Sequence, residues 1–141
     1  MILLDTSVVS EPLRPTPERS VVDWIYAQPL ETLFLSAITV AELRFGVATL
    51  PAGKRRDTLR EGLDNRLLPL FTGRVLSFDL AAAKAYADLM ASARSRGIAI
   101  GMADGLIAAT AAASGMSVAT RDTAPFEAAG VAWINPWEGT P

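Results

Sequence analysis

The chain has 141 residues, of which half are hydrophobic and a fifth are charged, and its net charge is −2. This length and composition predict one globular domain over residues 1–141 that buries a normal core. Because the chain contains neither cysteine nor histidine, its composition excludes disulfides, thiol nucleophiles, Cys-based zinc sites, Ser-His triads and histidine acid–base pairs.

The first part of the chain predicts a strand, a helix and a second strand. Ile2–Asp5 has three apolar residues before an acid, a pattern typical of a core strand that is covered on both faces. Pro17 suits the first position of a helix that is capped by Thr16. Leu33–Ser36 then predicts the second strand.

Two helices are predicted before the third strand. Thr39 and Glu42 have the T-x-x-E spacing of a capping box, so we expect a helix that begins here and runs to about Leu50. A charged helix follows. Leucines at every fourth position predict its buried face: Leu59, Leu63 and Leu67.

The second half of the chain continues the alternation of strands and helices. Val75–Phe78 predicts a third strand, and Asp79 caps a long helix that runs to about Arg96 and is ended by Gly97. A short helix over residues 126–129 and a strand over residues 131–134 follow later. The alternation predicts an α/β fold with a mainly parallel sheet.

One segment, residues 98–119, approaches the length of a membrane span and carries a single charge. Ala, Gly and Ser dominate it, and an acid at the middle of a span costs about 3 kcal/mol. We therefore expect a buried helix over residues 103–114 and a strand over residues 117–119, with no membrane partner. The N-terminus reaches an acid too soon for a signal peptide, so a cytoplasmic protein is expected.

Four acids follow the apolar runs: Asp5, Glu42, Asp104 and Asp122. Asp5 and Asp122 come at strand ends, whereas Glu42 and Asp104 open helices. Because ligands of open α/β sheets bind beyond the carboxyl ends of the strands, we expect these acids to converge there. A cluster of buried carboxylates needs protons or cations, and oxygen ligands suit Mg²⁺ or Mn²⁺. The pattern predicts a metal-dependent phosphoryl-transfer site.

Each acid also has a local structural explanation. Glu42 completes the capping box of Thr39, and Asp104 lies in a first helical turn, where the helix dipole favours an anion. Asp122 suits the cap of the next helix, and Asp5 suits an Asx turn. These alternatives stay open for each residue alone, but the joint placement of the four acids favours a functional site.

The chain carries four blocks whose order and spacing are specific: MILLDTSVVSEPLRP, LSAITVAELRFGVATLP, MADGLIAATAAASG and VATRDTAPFEAAGV. Together with the closing Asn135-Pro136-Trp137, they resemble the PIN-domain ribonucleases. Within that family the chain is most similar to the toxins of VapBC-type toxin–antitoxin pairs, and in particular to the FitB branch. The similarity covers nearly all of residues 1–138.

The resemblance implies a three-layer α/β/α sandwich with a five-stranded parallel sheet. It also implies that Asp5, Glu42, Asp104 and Asp122 form the acidic quartet that holds Mg²⁺ or Mn²⁺. Our hypothesis is that Asp5 and Asp104 bind the first metal ion, and that Glu42 and Asp122 complete its shell directly or through water. RNA is the implied substrate, and a homodimer is the implied assembly. The implied partner is a small DNA-binding antitoxin whose C-terminal segment covers the toxin's groove, in a complex that can bind operator DNA.

The chain departs from the family at Pro125. Many relatives carry another acid directly before the phenylalanine of the last motif, which here is Phe126. Asp122 is therefore expected to supply the carboxylate of that loop alone, and a second metal ion is expected to bind weakly or only with substrate. An alternative function follows from this departure: a catalytically weak domain that acts only as the binding partner of a DNA-binding antitoxin.

Polar residues beside the acids are candidates for a supporting role. The hydroxyls of Thr6, Ser7 and Thr120 can orient the carboxylates, although local turn hydrogen bonds explain them equally well. Arg121 can steady the scissile phosphate, and a solvated arginine is the alternative.

Two further surfaces invite a functional reading. Basic residues concentrate over residues 54–66, which suggests phosphate contacts, but interleaved acids favour a solvated helix face. Trp24, Phe45 and the helix over residues 43–50 can form an apolar wall for an antitoxin. Core burial is the competing explanation for these side chains.

Two other enzyme classes with aspartate clusters fit less well. A receiver-type signalling domain needs an acidic pair after the first strand and a late lysine, but this chain has one acid there and no lysine after Lys84. A phosphohydrolase with an aspartate nucleophile needs a second acid two residues beyond Asp5, where Ser7 stands.

Overall fold

The computed structural model describes residues 1–138. Five parallel strands form one sheet in the order β3-β2-β1-β4-β5. Their bounds are β1 Ile2–Leu4, β2 Leu33–Ser36, β3 Val75–Leu76, β4 Ser117–Ala119 and β5 Trp133–Ile134. The predicted α/β class and the five-stranded parallel sheet are confirmed. Since β1 lies between β2 and β4, the chain changes direction across the sheet beside β1, and such a switch point opens a crevice at the carboxyl ends of the strands.

Seven helices surround the sheet in the described part of the chain. Their bounds are α1 Thr6–Val9, α2 Arg19–Ala27, α3 Ala37–Ala48, α4 Lys54–Gly62, α5 Leu80–Ser95, α6 Met102–Ser114 and α7 Ala124–Ala128. Short 3-10 turns cover Glu11–Leu13, Leu30–Thr32 and Leu68–Phe71, and a π-helical turn covers Leu63–Leu67.

The sheet is covered on both faces, because neighbouring residues of its central strands enter different cores. Leu3 pairs with Val118, and both pack with α6 and α7. Leu4 pairs with Ala119, and both pack with α1, α2 and α3. All four side chains are at most 1% exposed. Alternation of side chains along a strand thus produces the three-layer sandwich.

Several predicted boundaries were wrong. The third and last strands are two residues long, shorter than the predicted spans, because edge strands pair on one side only. Helix α2 begins at Arg19 after Glu18, and Thr16 does not cap it. The predicted charged helix is α-helical only to Gly62 and continues as the π-helical turn.

Other helix boundaries were predicted correctly. Asp79 caps α5 by accepting a 2.9 Å hydrogen bond from the Ala82 N–H. Gly97 follows α5 with φ of +72°, the left-handed conformation that favours glycine. Residues 98–119 form α6 and β4 as expected. None of the helices in residues 1–138 combines the length and the hydrophobicity that a bilayer span requires.

Candidate active site

Asp5 lies at the junction of β1 and β4, directly beside the switch point. Its N–H donates to the Ala119 carbonyl at 2.9 Å. Its Oδ1 accepts from the Thr6 N–H at 2.8 Å, which caps α1, and its Oδ2 accepts from Ser7 Oγ at 3.2 Å and Thr120 Oγ1 at 2.8 Å. The residue is 7% exposed. Both carboxylate oxygens are therefore held in a fixed orientation.

The pKa of Asp5 is raised above its ordinary value. Burial is the main cause, because it disfavours the charged form. Hydrogen bonds from Thr120, Thr6 and Ser7 lower the pKa, and the negative charge of Glu42 raises it further. A cation beside Asp5 would favour its ionised form.

Glu42 is positioned by a long-range hydrogen bond, not by the predicted capping box. Thr6 Oγ1 donates to Glu42 Oε1 at 2.6 Å and lies 3.2 Å from Thr39 Oγ1. The cap of α3 is Ser36, whose Oγ accepts from the Thr39 N–H at 3.0 Å. The capping-box explanation of Glu42 was wrong, and the Thr6 hydroxyl links this acid to the turn that carries Asp5.

Asp104 lies in the first turn of α6 and is partly buried, as expected. Burial raises its pKa, and the charges of Asp5, Asp122 and Glu42 raise it further, in that order. Each of the other three acids is therefore close enough to act on Asp104. The structure brings all four to one region at the carboxyl edge of the sheet.

Asp122 is exposed in the loop between β4 and α7. The Thr120 hydroxyl lies 3.3 Å from the Asp122 carbonyl oxygen, so one residue contacts both Asp5 and this loop. Helix α7 has Thr123 as its N-cap without a side-chain hydrogen bond, so Asp122 does not cap it as the alternative explanation required. Pro125 occupies the first turn of α7, where a missing N–H costs nothing.

The four acids form a loose cluster and not a closed coordination shell. Among residues 1–138, no three acidic side chains are close enough together to hold a metal ion between them. Their charges still act on one another.

The C-terminal Asn-Pro-Trp segment contacts the loop of Asp122, a role that the sequence analysis missed. The Arg121 guanidinium lies over the Trp137 ring, with Cζ 5.2 Å from the centroid. Asn135 Nδ2 donates to the Arg121 carbonyl at 3.5 Å, and the Arg121 N–H donates to Ser7 Oγ at 3.3 Å. The sequence pointed to Asn135-Pro136-Trp137 as part of the family resemblance. Only the fold shows that this segment contacts Arg121.

A groove of about 790 Å³ runs from Glu42 along α3. Apolar side chains of α3, of α4 and of the turn between them line it: Leu43, Val47, Leu50 and Leu59. Thr6, Glu42, Arg14 and Arg55 supply its polar rim. Phe45 is 71% exposed outside this lining, and Trp24 packs against the core. Of the predicted apolar wall, only Leu43, Val47 and Leu50 therefore line the groove.

The basic residues of the segment 54–66 lie largely on a solvated surface, which is the interpretation that the sequence favoured. Arg66 lies 3.9 Å from Glu61 in an exposed ion pair. Asp64 pairs at 2.8 Å with Arg44. Arg55 is the member that faces the groove beside Glu42.

A sequence model described as the PIN domain matches residues 2–131. The chain belongs to the PIN-domain family. The family resemblance predicted from the four sequence blocks is thereby confirmed.

Curated relatives of this PIN domain match it over nearly their full length. It is 62% identical over 138 residues to "VapC ribonuclease Y4jK" of Sinorhizobium fredii, with 98% of this chain and 99% of that protein covered. It is 55% identical over 137 residues to "Toxin FitB" of Neisseria gonorrhoeae, with 97% and 99% covered.

Solved structures agree with the fold of this PIN domain. The crystal structure of FitAcB from Neisseria gonorrhoeae matches with a TM-score of 0.94 at 55% identity, and covers 97% of this chain and 99% of that one. A structure of FitAB bound to an IR36 DNA fragment matches with a TM-score of 0.94 at 54% identity, and covers 97% and 96%. The predicted PIN-like sandwich is confirmed.

Proposed function

We propose that this PIN domain, a single domain over residues 1–141, is a metal-dependent endoribonuclease that acts in the cytoplasm as the toxin of a type II toxin–antitoxin pair. The observation that carries the proposal is the fixed carboxylate of Asp5 at the switch point, with three further acids acting at the same edge. The similarity to proteins named VapC ribonuclease and Toxin FitB supports the same assignment.

The donor set fits Mg²⁺ or Mn²⁺, because carboxylates, hydroxyls and water are the ligands of hard divalent cations. Mg²⁺ commonly keeps several waters and contacts one or two carboxylates, so a loose cluster suffices. In this proposal Asp5 and Asp104 bind the cation, and Glu42 and Asp122 complete its surroundings directly or through water. The bound cation would lower the pKa of a water molecule and offset charge that develops on the phosphate oxygens.

The chain's hydroxyls have a separate task, which is to orient the carboxylates and, at Asp5, to lower a pKa that burial raises. Ser7 and Thr120 donate to Asp5, and Thr6 donates to Glu42. Hydrogen bonds to the charged form of a carboxylate favour that form. In the proposed hydrolysis, in-line attack of water on phosphorus breaks the bond to the 3′ oxygen, and the products are a 5′-phosphate and a 3′-hydroxyl. No histidine base is needed, consistent with the composition.

Pro125 stands where many relatives have another acid, so the last motif offers fewer carboxylates. In this proposal Asp122 provides the carboxylate of its loop alone, so a second cation binds weakly or only with substrate. A second candidate function rests on the same observation: a PIN domain that has weak catalysis and serves as the binding partner of a DNA-binding antitoxin.

The groove beside Glu42 supports a partner assignment. Its apolar wall of Leu43, Val47 and Leu50 suits apolar anchors of a partner segment. In this proposal the C-terminal segment of a small antitoxin occupies the groove, the PIN domain is a homodimer, and the complex binds operator DNA. The similarity to FitAB bound to a DNA fragment supports this arrangement.

The activity is tested by incubating purified, antitoxin-free protein with a labelled single-stranded RNA pool in Mg²⁺, Mn²⁺ or EDTA. We expect cleavage with either metal, no cleavage in EDTA, and no cleavage by Asp5→Asn. Asp23→Asn, which alters an exposed acid on α2, serves as the matched control and should cut normally. Full activity in folded Asp5→Asn would contradict the site assignment. Absence of cleavage with every metal would favour the second candidate.

The partner assignment is tested by co-expression with the small protein encoded beside this chain. We expect a heat-stable complex that Val47→Asp weakens, because the charge enters the apolar wall. Phe45→Asp is the control, since Phe45 lies on α3 but outside the groove lining. Free, monodisperse PIN domain in the co-expression would contradict the assignment.

A further inference from the structure

Arg121 is adjacent to Asp122 in the chain and lies beside the acidic cluster, yet it is not paired with an acid. Among the ion pairs of residues 1–138, none includes Arg121. An exposed arginine gains free energy by forming two hydrogen bonds with a nearby carboxylate. Its guanidinium instead lies on the Trp137 ring, 5.2 Å from the centroid, where cation–π attraction stabilises it.

Trp137 packs against the domain. Its ring is half-buried and packs against the core on the α1–α3 side of the sheet. Its N–H donates to Asn135 Oδ1 at 2.9 Å, and the intervening Pro136 is buried. The ring therefore has one face against the protein and leaves a defined position for the guanidinium.

The backbone of Arg121 is held from both sides. The preceding Thr120 N–H donates to the Ile134 carbonyl at 2.9 Å, which extends the pairing of β4 with β5. The Arg121 N–H donates to Ser7 Oγ, and the same hydroxyl donates to Asp5. The guanidinium thus projects from a segment that is tied directly to the acid at the centre of the site.

We propose that Trp137 is a positioning residue that holds the Arg121 guanidinium off Asp122, so that Arg121 binds a backbone phosphate of the RNA. This inference rests on the proposed function and adds the residue pair that receives the substrate. Stacking uses the face of the guanidinium and leaves N–H groups at its edge, which are the groups that bind phosphate oxygens in pairs. Separation from Asp122 also preserves one full positive charge where four acids repel RNA.

The test measures binding of a single-stranded RNA oligonucleotide in the Asp5→Asn background, so that cleavage does not interfere. Fluorescence anisotropy over a series of salt concentrations gives the slope of log affinity against log salt, which is about 0.7 per phosphate contact for single strands. We expect Arg121→Gln to reduce the slope by about 0.7. Arg19→Gln, an exposed arginine on α2, should leave it unchanged.

Variants of Trp137 separate positioning from simple structural support. Trp137→Phe keeps an aromatic face and should keep the parent slope. Trp137→Leu should reduce the slope by the same amount as Arg121→Gln, because the guanidinium then pairs with Asp122. Adding Asp122→Asn to Trp137→Leu should restore the slope, measured against Asp122→Asn alone, since the competing carboxylate is gone.

The outcomes distinguish this inference from the proposed function. RNA cleavage by the unmodified chain together with a slope that is unchanged in Arg121→Gln would overturn the inference alone. The expected pattern of slopes in a chain that cuts no RNA would overturn the nuclease assignment and leave the phosphate contact standing. An unchanged slope in Trp137→Leu, or no RNA binding in the Asp5→Asn parent, would also overturn the inference.

Discussion

Thr120 Oγ1 donates a 2.8 Å hydrogen bond to Asp5 Oδ2 and thereby joins the ends of two neighbouring parallel strands. The two residues are 115 positions apart in the chain, and the Thr120 side chain is fully buried. The same strands are joined by the hydrogen bond from the Asp5 N–H to the Ala119 carbonyl. The position of the central carboxylate therefore depends on the register of β1 and β4.

Replacing Thr120 with Val should reduce RNA cleavage by about 10- to 100-fold, as for other residues that orient metal ligands. The hydroxyl lowers the pKa of Asp5, so its loss should raise that pKa and move the pH profile of cleavage to higher pH. Thr120→Ser should restore both. The measurement is kcat as a function of pH.

The control for this prediction is Thr110→Val. Thr110 is also buried, and its hydroxyl donates to the Leu106 carbonyl at 2.8 Å within α6. Both Val variants should lose about 1 kcal/mol of stability. A pH profile that shifts equally in the two variants would rule out a specific effect on Asp5.

Replacing Thr6 with Val should release Glu42 and weaken Mn²⁺ binding by about 10- to 100-fold. The Thr6 N–H remains and still binds Asp5, so the change isolates Glu42. Mn²⁺ affinity is measured by titration followed with electron paramagnetic resonance. Thr6→Ser should bind normally, as should Thr49→Val, which removes an exposed hydroxyl at the end of α3. Unaltered Mn²⁺ affinity in Thr6→Val would exclude Glu42 from the metal site.

The metal-free protein should lose stability relative to Asp104→Asn as the pH rises. The folded-state pKa of Asp104 is raised, so its protonated form is favoured by folding. Its contribution is fully present below the unfolded pKa, about 3.9, and is lost as the pH rises through the raised folded value. Thermal unfolding in EDTA measures the difference between the two proteins. A difference that does not change with pH would contradict the raised pKa.

Adding Mn²⁺ in the same experiment should reverse this loss of stability relative to Asp104→Asn. A ligand that binds the folded state stabilises it in proportion to the logarithm of its concentration, and ionised Asp104 is the form that binds a cation. The unmodified protein should therefore gain more from Mn²⁺ than Asp104→Asn, and increasingly so at higher pH. Equal gains in the two proteins would exclude Asp104 from the metal site.

Gly105→Ala should destabilise the protein by about 1–3 kcal/mol through overpacking. A β-carbon at this position would lie 2.8 Å from Met90 Sδ and 3.2 Å from Tyr86 Cε2, where α6 packs on α5. Adding Met90→Ala should recover part of the loss. Urea unfolding is the measurement.

The matched control for this change is Gly62→Ala. Gly62 is helical, with φ of −61°, and a β-carbon there meets nothing within 4 Å. It should gain about 0.5–1 kcal/mol, because alanine loses less backbone freedom than glycine in a helix. Equal losses in both variants would show that the contact with Met90 is not the cause.

The amino-acid sequence by itself determined the class of fold and predicted the four acids of the proposed site. Apolar runs ended by turn residues mark the central strands, since strand burial is a local pattern of side chains. Each of the four acids was predicted from its place near the end of an apolar strand or near the start of a helix. The absence of histidine and cysteine excluded other chemistries without any structure.

Only the tertiary structure decided how these residues are held. Glu42 accepts a hydrogen bond from Thr6 and not from its own helix, and Asp5 accepts one from Thr120. The Arg121 guanidinium stacks on the ring of Trp137. The lengths of the two edge strands were overestimated for a related reason: each edge strand pairs with only one neighbouring strand, and that pairing sets its length. These contacts join residues that are distant in the chain, and their geometry follows from strand order and register, which no local pattern of residues specifies.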